Sequence, residues 1–333
     1  MPTVAFDARD AHVPMPHGSG IYARRLAEAL RARGAFDYQW LERGGTGPEL
    51  WFEQVRLPGE LRRQGADLIH TPNCFLPLRR PCPGVVTVHD LAFHEHPEDF
   101  GRATGWKYRT FTPRAVRSAQ RVICVSEFTR RDVVQRYGAD ESRTRVISPA
   151  PALAPGDLPT PDGPYLLAVG DLRPKKNLRL VVRAWRALRA QGLPHRLVLA
   201  GRDLGEGPAL RALAGDEPLE LPGFVDDAHV DALLRGADAL VHAGLYEGFG
   251  LIVVEAMARG CPVVLARAGA LPETGGDAAE YFDAGDPESA AAAIKSALGR
   301  RAELAAAGRA RAAGLSWERT AEETEHVYRE LLG

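Results

Sequence analysis

Six prolines fall within the sixteen residues from Pro149 to Pro164. No helix or central strand runs through such a stretch, because every proline removes a backbone N–H and its ring clashes with the preceding turn. The chain therefore folds as two pieces joined by a linker, and its 333 residues, too many for one ordinary core, agree. Each piece repeats one pattern. Before the linker, short β-rich runs occur at Thr3–Phe6, Asp67–His70, Val85–His89, Arg121–Val125 and Arg145–Ile147, separated by helical stretches. After it the pattern returns at Tyr165–Val169, Arg196–Ala200, Ala239–Val241, Pro262–Leu265 and Glu280–Phe282. Apolar strands alternating with amphipathic helices require parallel sheets covered on both faces. The predicted fold class is α/β, with two doubly wound, Rossmann-like domains at 1–150 and 165–315 and a proline-rich linker at 151–164. Ligands on such sheets bind outside the carboxyl ends of the strands, so two domains facing one another would share a cleft.

The densest chemistry lies in Leu245-Tyr246-Glu247-Gly248-Phe249-Gly250 and the apolar run from Leu251 to Arg259 that follows it. Ala239–Val241 reads as a buried strand, the two glycines permit a tight turn, and Gly260 stops the helix that begins at Leu251. That layout aims the backbone N–H groups of Phe249, Gly250 and Leu251 at one point, together with the positive end of a helix. Such a point favours an anion. Glu247 in the turn and Glu255 one turn into the helix would face the same cleft, and carboxylates beside an anion site suit the neutral hydroxyls of the same ligand. A phosphate flanked by polyols describes a nucleotide sugar. Taken singly, Glu255 could equally serve the helix dipole and Glu247 be a solvated loop charge.

The string as a whole resembles the E-x7-E signature of retaining glycosyltransferases of family 4. The resemblance continues through Gly260-Cys261-Pro262-Val263-Val264, Leu271-Pro272-Glu273 and Gly276-Asp277-Ala278-Ala279, and upstream through Leu221-Pro222-Gly223-Phe224-Val225. It implies a GT-B architecture in which a last helix, within 316–333, braces the first domain. It also implies that Glu255 holds the ribose hydroxyls, Glu247 the donor sugar's hydroxyls, and that the base lies near Phe224 and Val225. Glycine-rich loops like Gly18-Ser19-Gly20 close over the donor phosphates in the family. That loop also matches a dinucleotide fingerprint, but the first strand ends near Asp7 and a loop with Pro14 and Pro16 intervenes, where the true fingerprint needs a tight turn directly off the strand. Ala243-Gly244 stands where the family commonly has Pro-Ser.

Lysine usage points to the phosphates independently. The chain has 38 arginines and four lysines, and two of the four are neighbours in Gly170-Asp171-Leu172-Arg173-Pro174-Lys175-Lys176-Asn177. This loop follows a predicted strand and precedes a helix that Asn177 could cap, a position where cations suit a departing diphosphate. The family has a lysine at the position of Lys176 and often an arginine where Asp171 stands here, so the second cation would be Arg173 or Lys175. No Asp-x-Asp pair occurs in the chain, and the neighbouring His89, His94 and His96 fit no zinc spacing. A metal-independent enzyme with no cofactor is the expectation. His89 closes the strand Val85–Val88, which places it at the cleft by the strand-end rule, toward the sugar.

Residues 1–155 carry 22 Lys and Arg against 17 Asp and Glu, and 156–333 carry 20 against 26, so a net charge of −1 hides a basic half and an acidic half. The stretch Arg102–Arg121 has six cations, three aromatics and no acid. Such a segment can meet an anionic or lipid-linked acceptor or a membrane surface, or be a solvated helix; no nucleic-acid module accompanies it. No apolar run approaches the roughly 18 residues that span a bilayer, Met1-Pro2-Thr3-Val4 lacks a signal-peptide profile, and four scattered cysteines form no C-x-x-C pair. A cytoplasmic protein, with possible contact at the inner membrane face, is expected. The reading is transfer of a hexose from a GDP- or UDP-linked sugar to a hydroxyl acceptor. A nucleotide-sugar epimerase, a phosphorylase using Lys295 for pyridoxal, or a catalytically silent nucleotide-sugar-binding subunit would share the phosphate site.

Overall fold

The computed structural model describes residues 1–13, 18–42 and 48–333. Pro14 and Pro16 lie outside the described residues. Two compact units form: Met1–Ala152 together with Leu315–Gly333, and Leu153–Gly314.

The first unit holds a six-stranded sheet of β1 (Thr3–Asp7), β2 (Asp37–Leu41), β3 (Leu68–Thr71), β4 (Gly84–Val88), β5 (Arg121–Cys124) and β6 (Thr144–Val146) in the order β2-β1-β3-β4-β5-β6. Every pairing is parallel. The unit is completed by the helix Trp317–Leu332, whose Val327 and Tyr328 pack with Val4, Leu68, Val85 and Ile123. Polar ties fix it there. Tyr328 Oη lies 2.6 Å from His70 Nδ1, Arg33 donates to the fully buried Glu325 at 3.0 Å, and Glu330 accepts from Arg121 and Arg145, both at 2.7 Å.

The second unit holds β7 (Tyr165–Val169), β8 (Arg196–Ala200), β9 (Leu219–Gly223), β10 (Ala239–His242), β11 (Val263–Ala266) and β12 (Ala279–Phe282), again wholly parallel, in the order β12-β11-β10-β7-β8-β9. Strand order reverses between β7 and β10, which makes the carboxyl ends of these two neighbours the expected ligand crevice. The proline-rich stretch from Leu153 onward has no regular element, yet it belongs to this unit. Arg259 and Arg235 donate to its Leu153 and Leu158 carbonyls, and Gly156 N–H donates to Asp231 at 3.0 Å. These side chains satisfy backbone groups that the prolines leave without a ladder.

Strands β2 and β9 escape the apolar pattern. Both are edge strands, and β9 alternates half-buried and exposed positions and contains Pro222, tolerable where one side of the strand has no neighbour.

Candidate functional site

Two loops leave the carboxyl ends of β7 and β10 side by side. The first runs from Gly170 through a short turn at Pro174–Lys176 into the helix Leu178–Ala190. The second runs from Ala243 to Gly250, whose φ of +85° turns the chain into the helix Leu251–Ala258. No side chain caps that helix; Val253 N–H turns back to the Gly250 carbonyl at 2.9 Å, and the N–H groups ahead of it face the end of the strand without a side-chain cap. Leu245 N–H donates to the Lys175 carbonyl at 2.9 Å, and Ala270 N–H donates to the Glu247 carbonyl at 2.8 Å. Thr274 Oγ1 donates to the Phe249 carbonyl. The turn carrying Glu247 is therefore held on both sides.

Within this frame Lys176 Nζ donates to Glu247 Oε1 at 2.5 Å. Burial raises the Glu247 carboxyl, but the charges of Lys176 and Lys175, joined by His242 once acid protonates it, outweigh it and hold the group down at about 2. Glu247 is anionic at neutral pH and already paired with the lysine expected to meet a diphosphate.

His242, the last residue of β10, is the member of the cluster that sequence reasoning missed. Its Nε2 lies 3.7 Å from Glu247 Oε1. Burial, opposed by Glu247 and aided by Lys176 and Lys175, brings its imidazole down to about 4, so the ring is neutral. The strand-end rule that singled out His89 after β4 applies equally to His242 after β10.

The two candidates for the second cation differ in their charge pairing. Arg173 donates to Asp171 at 3.0 Å and Arg202 donates to the same carboxylate at 2.9 Å. Arg173 is thereby paired, whereas Lys175 has no carboxylate within 4.0 Å among the described residues and acts on both Glu247 and His242. Asn177 departs from expectation as well. It sits at φ +53°, and its amide donates to the Ala284 carbonyl at 2.8 Å instead of capping the helix.

Glu255 is engaged differently from the open position read from the sequence. It is 2% exposed. Oε1 accepts from Leu153 N–H and Oε2 from Arg259, each at 2.9 Å, while Arg259 also donates to the buried Asp231 at 2.7 Å. The cause is the proline-rich segment, whose free backbone groups lie against this helix.

Phe224, directly after β9, is exposed with 53% of its surface accessible, and Val225 packs against the core. In the first unit, Gly18 and Gly20 open the helix Gly18–Arg33, with Gly18 exposed and Gly20 buried. His89 Nε2 lies 2.7 Å from the Pro72 carbonyl, and the ring meets Tyr22 edge-on with centroids 4.8 Å apart. Burial keeps His89 below its ordinary range, so it too is neutral. Among the described residues no three His, Cys, Asp or Glu side chains are grouped to hold a metal ion.

Titration of the cluster has a definite sign. His242 takes a proton in the unfolded chain near pH 6.5 but in the folded protein only near 4, so acidification through that window favours unfolding. Glu247, held at about 2 against 4.5 unfolded, stabilises the fold above pH 4.5 and loses that contribution as pH falls toward 2. The melting temperature of a His242→Gln variant should consequently fall less steeply than wild type between pH 6.5 and 4. Parallel profiles would show that His242 titrates normally.

Residues 163–300 match the family model for glycosyl transferases group 1, and residues 38–150 that for glycosyltransferase family 4. O-antigen chain mannosyltransferase B of Escherichia coli is 30% identical over 79% of this chain and 74% of its own length. The chain belongs to glycosyltransferase family 4. A second family 4 relative, the D-inositol 3-phosphate glycosyltransferase of Geodermatophilus obscurus, is 31% identical over 80% of this chain and 62% of its own. Among solved structures, sucrose-phosphate synthase of Thermosynechococcus elongatus superposes with a TM-score of 0.77 over 99% of both chains at 22% identity. WaaG, a glycosyltransferase involved in lipopolysaccharide biosynthesis, gives 0.70 over 96% of this chain and 98% of its own at 18% identity. These likenesses establish the two-domain GT-B fold of this family 4 chain.

Proposed function

We propose that this chain transfers a hexose from a GDP- or UDP-linked sugar to a hydroxyl acceptor, with retention and without a divalent metal, in glycan or glycoconjugate synthesis. The observation that carries the reading is the Lys176–Glu247 pair, 2.5 Å apart at the point where strand order reverses. A lysine beside uncapped helix N–H groups suits a diphosphate, whose negative charge grows as the glycosidic bond breaks. Lys176, Lys175 and the N–H groups of Phe249, Gly250 and Leu251 take that charge. Glu247 orients the sugar's hydroxyls. Glu255 takes the ribose hydroxyls, and the exposed ring of Phe224 stacks on the base beside Val225. Retention would follow from same-face attack assisted by the leaving phosphate.

A panel of nucleotide sugars assayed for slow donor hydrolysis and for transfer tests the reading. Release of nucleoside diphosphate from one of them is expected. Binding without release would instead favour a silent subunit, the reading that the Ala243-Gly244 departure supports, and an isomerised sugar still joined to its nucleotide would favour an epimerase. A phosphorylase fits poorly, because Lys295 is exposed on the helix Pro287–Gly299 and offers no enclosed pyridoxal site.

Because lysines and N–H groups carry the diphosphate, activity should survive EDTA, and added magnesium or manganese should leave it within about twofold. Abolition by EDTA with recovery on adding one of these ions would contradict the assignment.

The partner on the acceptor side is read from the helix Arg102–Ser118. Arg102, Trp106, Arg109, Arg114 and Arg117 are exposed on it, Trp106 at 54% of its surface. None of these arginines has a carboxylate within 4.0 Å among the described residues. An exposed tryptophan among unpaired cations matches the interface of an anionic membrane, where a lipid-linked acceptor would reside. Wild type should sediment with anionic liposomes at low salt and be released at high salt, and an Arg102→Glu, Arg109→Glu, Arg114→Glu variant should stay in the supernatant. Wild type remaining soluble under both conditions would assign the helix to solvent.

A further inference from the structure

Gly244 and His242 form a unit with Glu247 that the proposed roles leave unused. Gly244 N–H donates to His242 Nδ1 at 3.3 Å, so Nδ1 is an acceptor and the ring proton sits on Nε2. That Nε2–H is buried and has no hydrogen-bond partner; the residue as a whole is 6% exposed. A buried donor left without an acceptor is costly and calls for an explanation. Nε2 faces Glu247 Oε1 across 3.7 Å, too far for a hydrogen bond, while the same oxygen is held by Lys176 at 2.5 Å.

The space is built for this arrangement. A Cβ at position 244 would lie 2.9 Å from His242 Cε1 and 3.0 Å from Glu247 Oε1. Any residue but glycine there pushes the imidazole and the carboxylate out of place. Glycine at 244, where the family commonly has serine, leaves this space to the imidazole and the carboxylate.

We propose that His242 is the positioning residue for Glu247: when the donor's diphosphate draws Lys176 away, the His242 Nε2–H closes on Oε1 and keeps the carboxylate ionised and aimed at the sugar. This rests on the donor reading above. The groups facing the imidazole are Glu247 on its own loop and Lys175 and Lys176 on the loop after β7. Lys176 therefore has two states, paired with Glu247 when the site is empty and with phosphate when it is filled, and His242 supplies the partner that the second state removes.

His242→Phe keeps an aromatic ring and deletes the donor, and His242→Gln restores an N–H. At saturating donor, His242→Phe should lower kcat about tenfold or more while leaving the KM for donor within about threefold, the loss of one charge-assisted hydrogen bond. The acid limb of kcat should move to higher pH, because Glu247 loses a group that favours its ionised form. His242→Gln should return most of the rate and the limb. A readout independent of turnover is the proton NMR signal of the His242 ring, which should shift when UDP or GDP binds to wild type but not to Lys176→Ala at concentrations that saturate it. Wild-type kcat and an unmoved acid limb in His242→Phe would overturn the proposal. So would loss of melting temperature and diphosphate binding in both variants alike, which is the signature of a merely structural histidine. Absence of turnover in wild type with any sugar nucleotide, accompanied by the NMR shift, would instead sink the transferase reading and leave the exchange at Lys176 standing; absence of the shift overturns the exchange.

Discussion

Lys176→Ala is expected to weaken nucleoside diphosphate binding by about 30-fold to a few thousand-fold, since truncating one member of a buried charge pair costs roughly 2–5 kcal/mol. Binding of the nucleoside alone should change little. The contrast between the two ligands is the measurement, made by calorimetry or by displacement of a fluorescent nucleotide, and equal weakening of both would place Lys176 away from the phosphates. The substitution has a second consequence, because Lys176 is the foremost of the charges that hold the Glu247 carboxyl down at about 2. Without it the carboxylate loses its main counter-charge, and the variant should melt at a lower temperature at neutral pH.

Glu247→Ala should act in the opposite sense on binding. Turnover should fall by roughly 10- to 150-fold, because a charged hydrogen bond that tightens as the sugar departs is worth about 1.5–3 kcal/mol. Diphosphate affinity should hold or rise, since Lys176 no longer has to leave a partner 2.5 Å away to meet the ligand. Unchanged turnover with saturating donor would remove Glu247 from the site, and a fall in diphosphate affinity matching the fall in turnover would make its role one of loop architecture. The two variants thus separate binding from chemistry in a single pair of residues.

Much of this was legible in the residues. Central strands such as Ala239–Val241 and Val85–Val88 declare themselves because both faces are buried, leaving continuous apolar runs. The edge strands Asp37–Leu41 and Leu219–Gly223 do not, because half of each meets solvent and polar residues are tolerated there. Lys176 and Glu247 stand out through residue type and glycine spacing. His242 carries the same strand-end signal that picked out His89, but its tie to Glu247 and Lys176 depends on neighbours that only the fold supplies. Glu255 and Arg173 show the converse limit. Spacing alone singles them out, but how a charge is engaged depends on partners distant in sequence, Leu153 for the one and Arg202 with Asp171 for the other.

The helix Trp317–Leu332 gives the order of synthesis a physical meaning. A ribosome delivers the whole of Leu153–Gly314 before it delivers this helix, so the second unit has all its strands and can close its core while the first still waits for Val327 and Tyr328. During that interval the strands carrying Val4, Leu68, Val85 and Ile123 present apolar surface to the cell, and Arg121 and Arg145 lack Glu330. The half of the protein that is translated first is the half that matures last, and it is there that aggregation and chaperone capture of the nascent chain should concentrate.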